Sequence, residues 1–309
     1  MKNTRLLTEG ALLLAVFVVL LLISIYVPIL WIISFLFLVL PFILFSAKHP
    51  FKYSLLMLIG ACILSALLGT FLAVPLALAS GTTGIVMGWF IKEKKDKVTL
   101  FIASSLTMLV NIVAQYGLSI VLFDIDMIQD TIKLMKESFN QSADMLANFG
   151  QSVDGEMMEQ FNNSIDLIET LTPTLFLMSA FLLVLLFILV NFPIVKRLGI
   201  DTPKFKPFRE WKLPKSILWY YLIVLILSIA IQPETGSYYY TALINLLYVL
   251  QTLMAVQGLA FIFFYSHLKG WSKGLLTLVI IVSIPLLYIV RILGIIDLGF
   301  DLRQRLQRK

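Results

Sequence analysis

The chain has 309 residues, 60% of them hydrophobic and 14% charged, with a formal charge of +6. Soluble domains carry about 25% charged residues, so a soluble globular class is excluded, and the single cysteine, Cys62, excludes an internal disulfide framework. In so apolar a chain the positive balance is read as loop charge that sets orientation, not as a nucleic-acid footprint.

The start places Lys2 and Arg5 ahead of an apolar run, as a signal peptide does. Apolar character continues to Ala47 with no Ala-x-Ala site, so the segment reads as retained. Residues 10–47 form an uncharged run of 38, too long for one span of about 20. They predict a hairpin broken at Pro28. After "AKHPFK", residues 53–91 give a second uncharged run of 39, with a turn at Gly69-Thr70 or at Pro75. Cys62 lies in this run and reads as a small core residue. Residues 98–123 and 171–195 supply a fifth and a sixth span, and 216–232, 239–266 and 273–296 supply three more. The expected fold is therefore an all-α polytopic membrane protein of about nine transmembrane helices. It falls to eight if 273–296, interrupted by Pro285 and Arg291, does not fully cross. The chain divides into helices one to five (1–123), a polar insert (124–170), and helices six to nine with a basic loop at 196–215 (171–309).

Loop charge orients these spans. Residues 92–97 hold four Lys, residues 196–215 hold seven Lys/Arg against two acids, and residues 48–52 and 269–273 hold two Lys each. All four loops share the side of the N-terminus, which the positive-inside rule makes cytoplasmic in a cell membrane. The insert, with ten Asp/Glu and two Lys between 123 and 170, then falls outside. In a nine-span chain the C-terminal "DLRQRLQRK", with four basic residues, also falls outside, against the rule.

The insert reads as two amphipathic helices. Ile128, Ile132, Met135, Phe139, Leu146 and Phe149 make one stripe, and Val153, Met157, Phe161, Ile165 and Ile168 a second. Gly150 suits a C-cap, and Ser152 suits an N-cap with Asp154 and Glu156 in the following turn. Each stripe needs a partner, either the other helix or something outside the insert. Phe139, Leu146, Phe149, Met157 and Phe161 are the candidate lid or docking stripe.

Small residues recur four apart, at Ala11 and Ala15, at Ala61, Ser65 and Gly69, and at Gly84 and Gly88. This spacing lets helix backbones approach, within the chain or against a partner. Polar side chains within spans are few: Asn111, Gln115, Asn191, Asn245, Gln251 and Gln257. Buried amides link helices or meet a neutral solute, and Asn111, Gln115 and Gln251 are the candidate contacts. No acid sits mid-span, and Glu9 and Arg291 lie near span ends, which argues against an ion-coupled pump. Asp297 and Asp301, four apart in "GIIDLGFDLR", are expected to pair with Arg303 or Arg305 at the interface. The stretch "TPKFKPFREWKLPK" mixes aromatic and basic residues, as a headgroup anchor does. His49 and His267 sit beside loops, and neither an HExxH, a Gly-x-Ser-Gly, a GxGD nor a P-loop pattern occurs. No catalysis, cofactor, metal or nucleic-acid binding is expected.

Residues 5–195, with "LTEGALLLAVFVVLLLISIYVPIL" and a second hairpin closing in "GIVMGWFIKEKK", resemble the substrate-binding (S) components of energy-coupling factor vitamin transporters. In that group an Ala-x-x-x-Ala face on the first helix contacts the coupling subunit, and Ala11 and Ala15 match it. The opening, "GIVMG" before a Lys-rich turn, and "LGIIDLGFDLR" together resemble the YybS-like family of uncharacterised Firmicute membrane proteins over nearly the whole chain. The resemblance implies an S-component-like core, extended by some three spans and by the insert. The expected function is a transporter-like protein that binds a small solute and a coupling subunit. The alternative is a non-transporting scaffold that recruits an envelope complex.

Overall fold

Proline and glycine set where the helices end. The computed structural model describes residues 2–149, 154–231, 233–234 and 236–307 and, of residues 2, 3 and 72, the backbone alone. Among the described residues every regular element is helical. In chain order these are α1 (Lys2–Tyr26), α2 (Trp31–Phe37), α3 (Leu40–Lys48), α4 (Phe51–Leu68), α5 (Val74–Lys92), α6 (Lys97–Phe123) and α7 (Met127–Asn148). They continue with α8 (Gly155–Thr170), α9 (Thr172–Arg197), α10 (Lys215–Ile231), α11 (Tyr238–Leu268), α12 (Lys273–Ser283), α13 (Leu287–Phe300) and α14 (Leu302–Gln307).

Pro28 lies in the turn after α1, as expected, and Pro41 breaks the second span into α2 and α3 because it offers no N–H to the helix ladder. Both expected markers of the next turn are used. Gly69 caps α4, Thr70 follows at φ 73°, and Pro75 opens α5. Three aspartates cap helices, each carboxylate accepting backbone N–H groups that the first turn leaves unpaired. Asp96 caps α6, Asp126 caps α7 and Asp154 caps α8. The last differs from the expected order, in which Asp154 stood inside the first turn. Gly150, Ser152 and Val153, expected to form the turn and to open the second stripe, lie outside the described residues. Both insert helices are present as amphipathic elements.

Among the described residues, seven helices are long and apolar enough to cross a membrane: Thr4–Tyr26, Trp31–Lys48, Phe51–Leu68, Val74–Lys92, Lys97–Phe123, Thr172–Arg197 and Tyr238–Leu268. By length and composition these are seven of the expected nine spans, and eight, the expected alternative number, if the pair α12–α13, bent by 108°, is counted as one. The bend has the cause anticipated from Pro285. α10 is a shorter apolar helix of 17 residues, roughly 25 Å at 1.5 Å per residue, and bridges a ~30 Å hydrocarbon layer only with help from its flanking residues.

The chain forms two compact units. One is Met1–Ser152 with Phe176–Lys204, and the other is Val153–Leu175 with Phe205–Lys309. In the first, Phe17 and Leu21 of α1 are fully buried, as are Phe42 and Ile43 of α3 and Ala77 of α5. Phe17 meets Phe42 edge-on at 5.1 Å. In the second, Leu218, Tyr221 and Val224 of α10 pack with Leu243, Leu247, Leu250 and Met254 of α11 and with Leu298 of α13. Lipid is as apolar as these side chains, so their close packing and the hydrogen bonds among them hold the helices together in a bilayer. Large apolar residues such as Ile29, Val121 and Ile226 stay on the outside, as a lipid-facing surface requires.

Candidate functional site

The densest polar constellation lies in the second unit, where α11 and α13 touch backbone to backbone. A Cβ on Gly258 would stand 1.9 Å from the Val290 carbonyl oxygen, and one on Gly294 would stand 2.0 Å from that of Met254. Only glycine permits this approach. It brings Asp297, one turn beyond Gly294, against Gln257. Gln257 Nε2 donates to Asp297 Oδ2, and its Oε1 accepts from the Leu213 backbone N–H at 2.9 Å. Asp301 caps α13 at φ 49°, in the left-handed region that aspartate tolerates, and so turns the chain back. Arg303 of α14 then reaches Asp297 Oδ2 from Nε at 2.9 Å and the Arg209 carbonyl from Nη1 at 2.8 Å. Its guanidinium also lies 5.5 Å from the Phe264 ring centre.

Asp297 is 0% exposed and Arg303 7% exposed. Buried charges of this kind persist where they are paired and hydrogen-bonded. The pairing is incomplete, because Asp297 Oδ1 and Arg303 Nη2 are buried without a partner among the described residues. The expected interfacial pairing is thus corrected in two ways. The Asp297–Arg303 pair is made but is buried, so an acid does lie inside the helical body. Asp301 pairs with Lys212 and Lys215, whose ammonium groups each take one carboxylate oxygen, rather than with Arg303 or Arg305. Hydrogen bonds from Lys212 and then Lys215 hold the Asp301 pKa down at about 2, despite some desolvation. The Phe208–Glu210 turn packs its Phe208 ring on Phe263 at 5.2 Å and on Trp211 at 5.4 Å, so the loop carrying Arg209, Lys212 and Leu213 lies against the last turns of α11.

Amides elsewhere fasten helices. In the first unit Asn111 donates to Thr82 Oγ1 at 2.9 Å and to the Thr107 carbonyl at 2.8 Å, and Gln115 donates to the Pro75 carbonyl at 3.0 Å. Asn191 donates to the Leu36 carbonyl at 2.9 Å. In the second unit Asn245 accepts from the Thr174 hydroxyl at 2.7 Å and donates to the Thr170 carbonyl at 2.7 Å. Gln251, on α11, is half-buried. Glu9 is not free at a span end, since it binds Lys48 Nζ at 2.6 Å and His49 Nε2 at 3.2 Å.

The small-residue pairs separate into two groups. Gly84 and Gly88 pack within the first unit. A Cβ on Gly84 would lie 2.7 Å from the Val39 carbonyl oxygen, and one on Gly88 would lie 2.5 Å from that of Ile43. Ala61, Ser65 and Gly69 are buried as well. Ala11 and Ala15 lie exposed on α1, on the side away from the buried Leu13, Phe17 and Leu21. Of the insert stripes, Ile132 and Ile165 are buried, Phe139 and Phe161 are half-buried, and Leu146, Phe149 and Met157 are exposed, Phe149 by 85%.

Helical spans, lipid-facing apolar surfaces and buried amide fasteners define a multi-pass helical membrane protein. Residues 15–298 match the family model described as "Predicted membrane protein (DUF2232)", and the chain belongs to that family. It is 31% identical over 313 residues to "Uncharacterized protein YybS" of Bacillus subtilis (strain 168), covering 99% of this chain and 100% of that one. No solved structure matches.

Proposed function

We propose that this membrane protein serves as a docking subunit whose α1 face receives a transmembrane helix of another integral membrane protein. The observation that carries the reading is the outward stripe Leu7, Ala11, Ala15 and Val19, which is uncharged, exposed and four-residue spaced on a helix whose opposite side is packed. Exposed leucine or valine alone would suit lipid. A pair of alanines between them leaves a shallow groove in which a second helix can approach closely and gain dispersion contacts. The likeness of this face to the coupling face of S components supports the same reading. Lys and Arg counts in the loops support a cytoplasmic N-terminus in a cell membrane.

Of the two roles that such a subunit could serve, a non-transporting scaffold for an envelope complex has the better support. Of the three candidate solute contacts, Asn111 and Gln115 have their amide donors taken by α5 of the same unit, and Gln251 lies half-buried on α11. One observation favours solute binding and a coupling subunit instead. The hydroxyls of Ser54, Ser104 and Ser105 and the Asn191 side-chain oxygen are buried without partners among the described residues. On either role the protein is not an enzyme and takes no cofactor or nucleic acid.

Replacement of Ala11 and Ala15 by Leu tests the docking face. The variant is expected to insert and fold as wild type does, while losing the membrane partners that co-purify with wild type after crosslinking in cells. Unchanged partner recovery from the variant would overturn the reading. Mass spectrometry of the wild-type preparation separates the two roles, since a stoichiometric small molecule would favour the solute carrier.

A further inference from the structure

We infer that residues 273–300 enter the membrane and leave it on the same face, so that the C-terminal tail lies on the side of the loop that joins α9 to α10. The argument uses the second unit alone and does not depend on the docking role.

α11 crosses the bilayer, so its two ends lie on opposite sides. The end at Leu268 is the loop end. Leu213 binds Gln257 and Phe208 stacks on Phe263, which sets residues 208–213 beside the last turns of α11. α10 starts at Lys215, two residues beyond Leu213, and shares one core with α11, so it carries the chain from the loop end of α11 towards Tyr238 at the other end. α12 begins at Lys273, a short turn beyond Leu268, and therefore on the loop side.

The other end of the segment is tied to the same loop by three contacts. Asp301 holds Lys212 and Lys215, and Arg303 binds the Arg209 carbonyl. The Phe300 end of the segment thus lies beside residues 209–215, and the Lys273 end follows the end of α11 against which residues 208–213 pack. The bend of 108° between α12 and α13 is what a returning segment needs.

The break itself also weighs against a crossing. α12 has 11 residues, about 16 Å of helix, so in a crossing segment Ile284, Pro285 and Leu286 would sit close to the bilayer midplane. All three are exposed on the outside of the unit. Pro285 has no N–H, and although the Ile281 carbonyl accepts from the Ile284 N–H at 3.2 Å instead, the helix ladder is interrupted there, which hydrocarbon disfavours. A returning segment removes the charge conflict of the tail, because Arg303 and Arg305 then share the side of the basic loop.

Single cysteines at Lys206, Tyr238 and Gln304 in the full chain, with Cys62 replaced by Ser, test this with a membrane-impermeant maleimide on intact and lysed cells. All three sites are exposed. Lys206 and Gln304 are expected to show the same dependence on lysis, and Tyr238 the opposite one. Gln304 labelling in step with Tyr238 would overturn the inference. A cysteine at Gln307 gives a second reading of the tail if Gln304→Cys disturbs the turn, with the same two outcomes. Labelling of every site after lysis shows that each cysteine is reachable, and recovery of each variant in the washed membrane fraction shows that it has inserted.

Discussion

Arg303 donates to Asp297 at 2.9 Å in a place where the carboxylate has no solvent exposure. The pair ties α14 to α13 and, through Gln257, to α11. Removing one partner leaves a buried charge without its counterion, which costs about 3–5 kcal/mol. Arg303→Met and Asp297→Leu are each expected to destabilise by that order. The double variant is expected to cost far less than their sum, because no lone charge remains. Thermal unfolding in detergent for the four proteins of the cycle measures the coupling. Additive single effects would show that the pair does not act as a unit.

The helix crossing that creates this site depends on two glycines. At Gly258 and Gly294 a methyl group would collide with carbonyl oxygens of the facing helix, not with a flexible side-chain tip. Gly258→Ala and Gly294→Ala are each expected to destabilise by about 1–3 kcal/mol, the usual cost of overpacking, or more if the helices cannot separate. Gly117→Ala is the control. Nothing lies within 4 Å of its added methyl, and alanine is favoured over glycine in a helix by about 1 kcal/mol. Thermal unfolding of the three variants should therefore give opposite signs. Destabilisation by Gly117→Ala as large as that by Gly258→Ala would remove the contact argument.

What the sequence revealed follows a physical division. The breaks at Pro28, Gly69 and Pro285 were legible because proline and glycine act on their own backbone. The insert helices were legible because an amphipathic period is local too. The packing role of Gly84 and Gly88 was one of two open readings, and the contact with α3 decides it. The polar node was not legible beyond Asp297 and Arg303. Lys212 and Lys215 precede Asp301 by more than eighty positions, and no period links them. Gly258 and Gly294 carried a weak signal, a lone glycine inside an apolar helix, but no i,i+4 partner of their own kind marked them. The exact span count was not legible, because apolar length alone cannot distinguish a crossing helix from a short or a bent one.

The tail latch has a pH dependence whose direction follows from Asp301. Its carboxylate titrates at about 2 in the folded protein because Lys212 and Lys215 donate to it, and near 3.9 in an unfolded chain. Since the folded pKa is the lower one, the unfolded chain binds the proton more readily in the interval between them. The latch therefore contributes in full above about pH 4 and loses its contribution as pH falls through about 2. Asp301→Asn removes the charge at every pH. The midpoint difference between wild type and Asp301→Asn is expected to be constant from about pH 5 to 8 and to shrink towards zero between about 4 and 2. Part of the Asp301 side chain is open to solvent, 24% by area, so added salt should reduce the same difference at neutral pH. Unfolding scans of both proteins across this range, at low and high salt, make the measurement. A difference that instead persists unchanged at pH 2 would mean that Asp301 holds the tail by its shape and turn geometry, not by its charge.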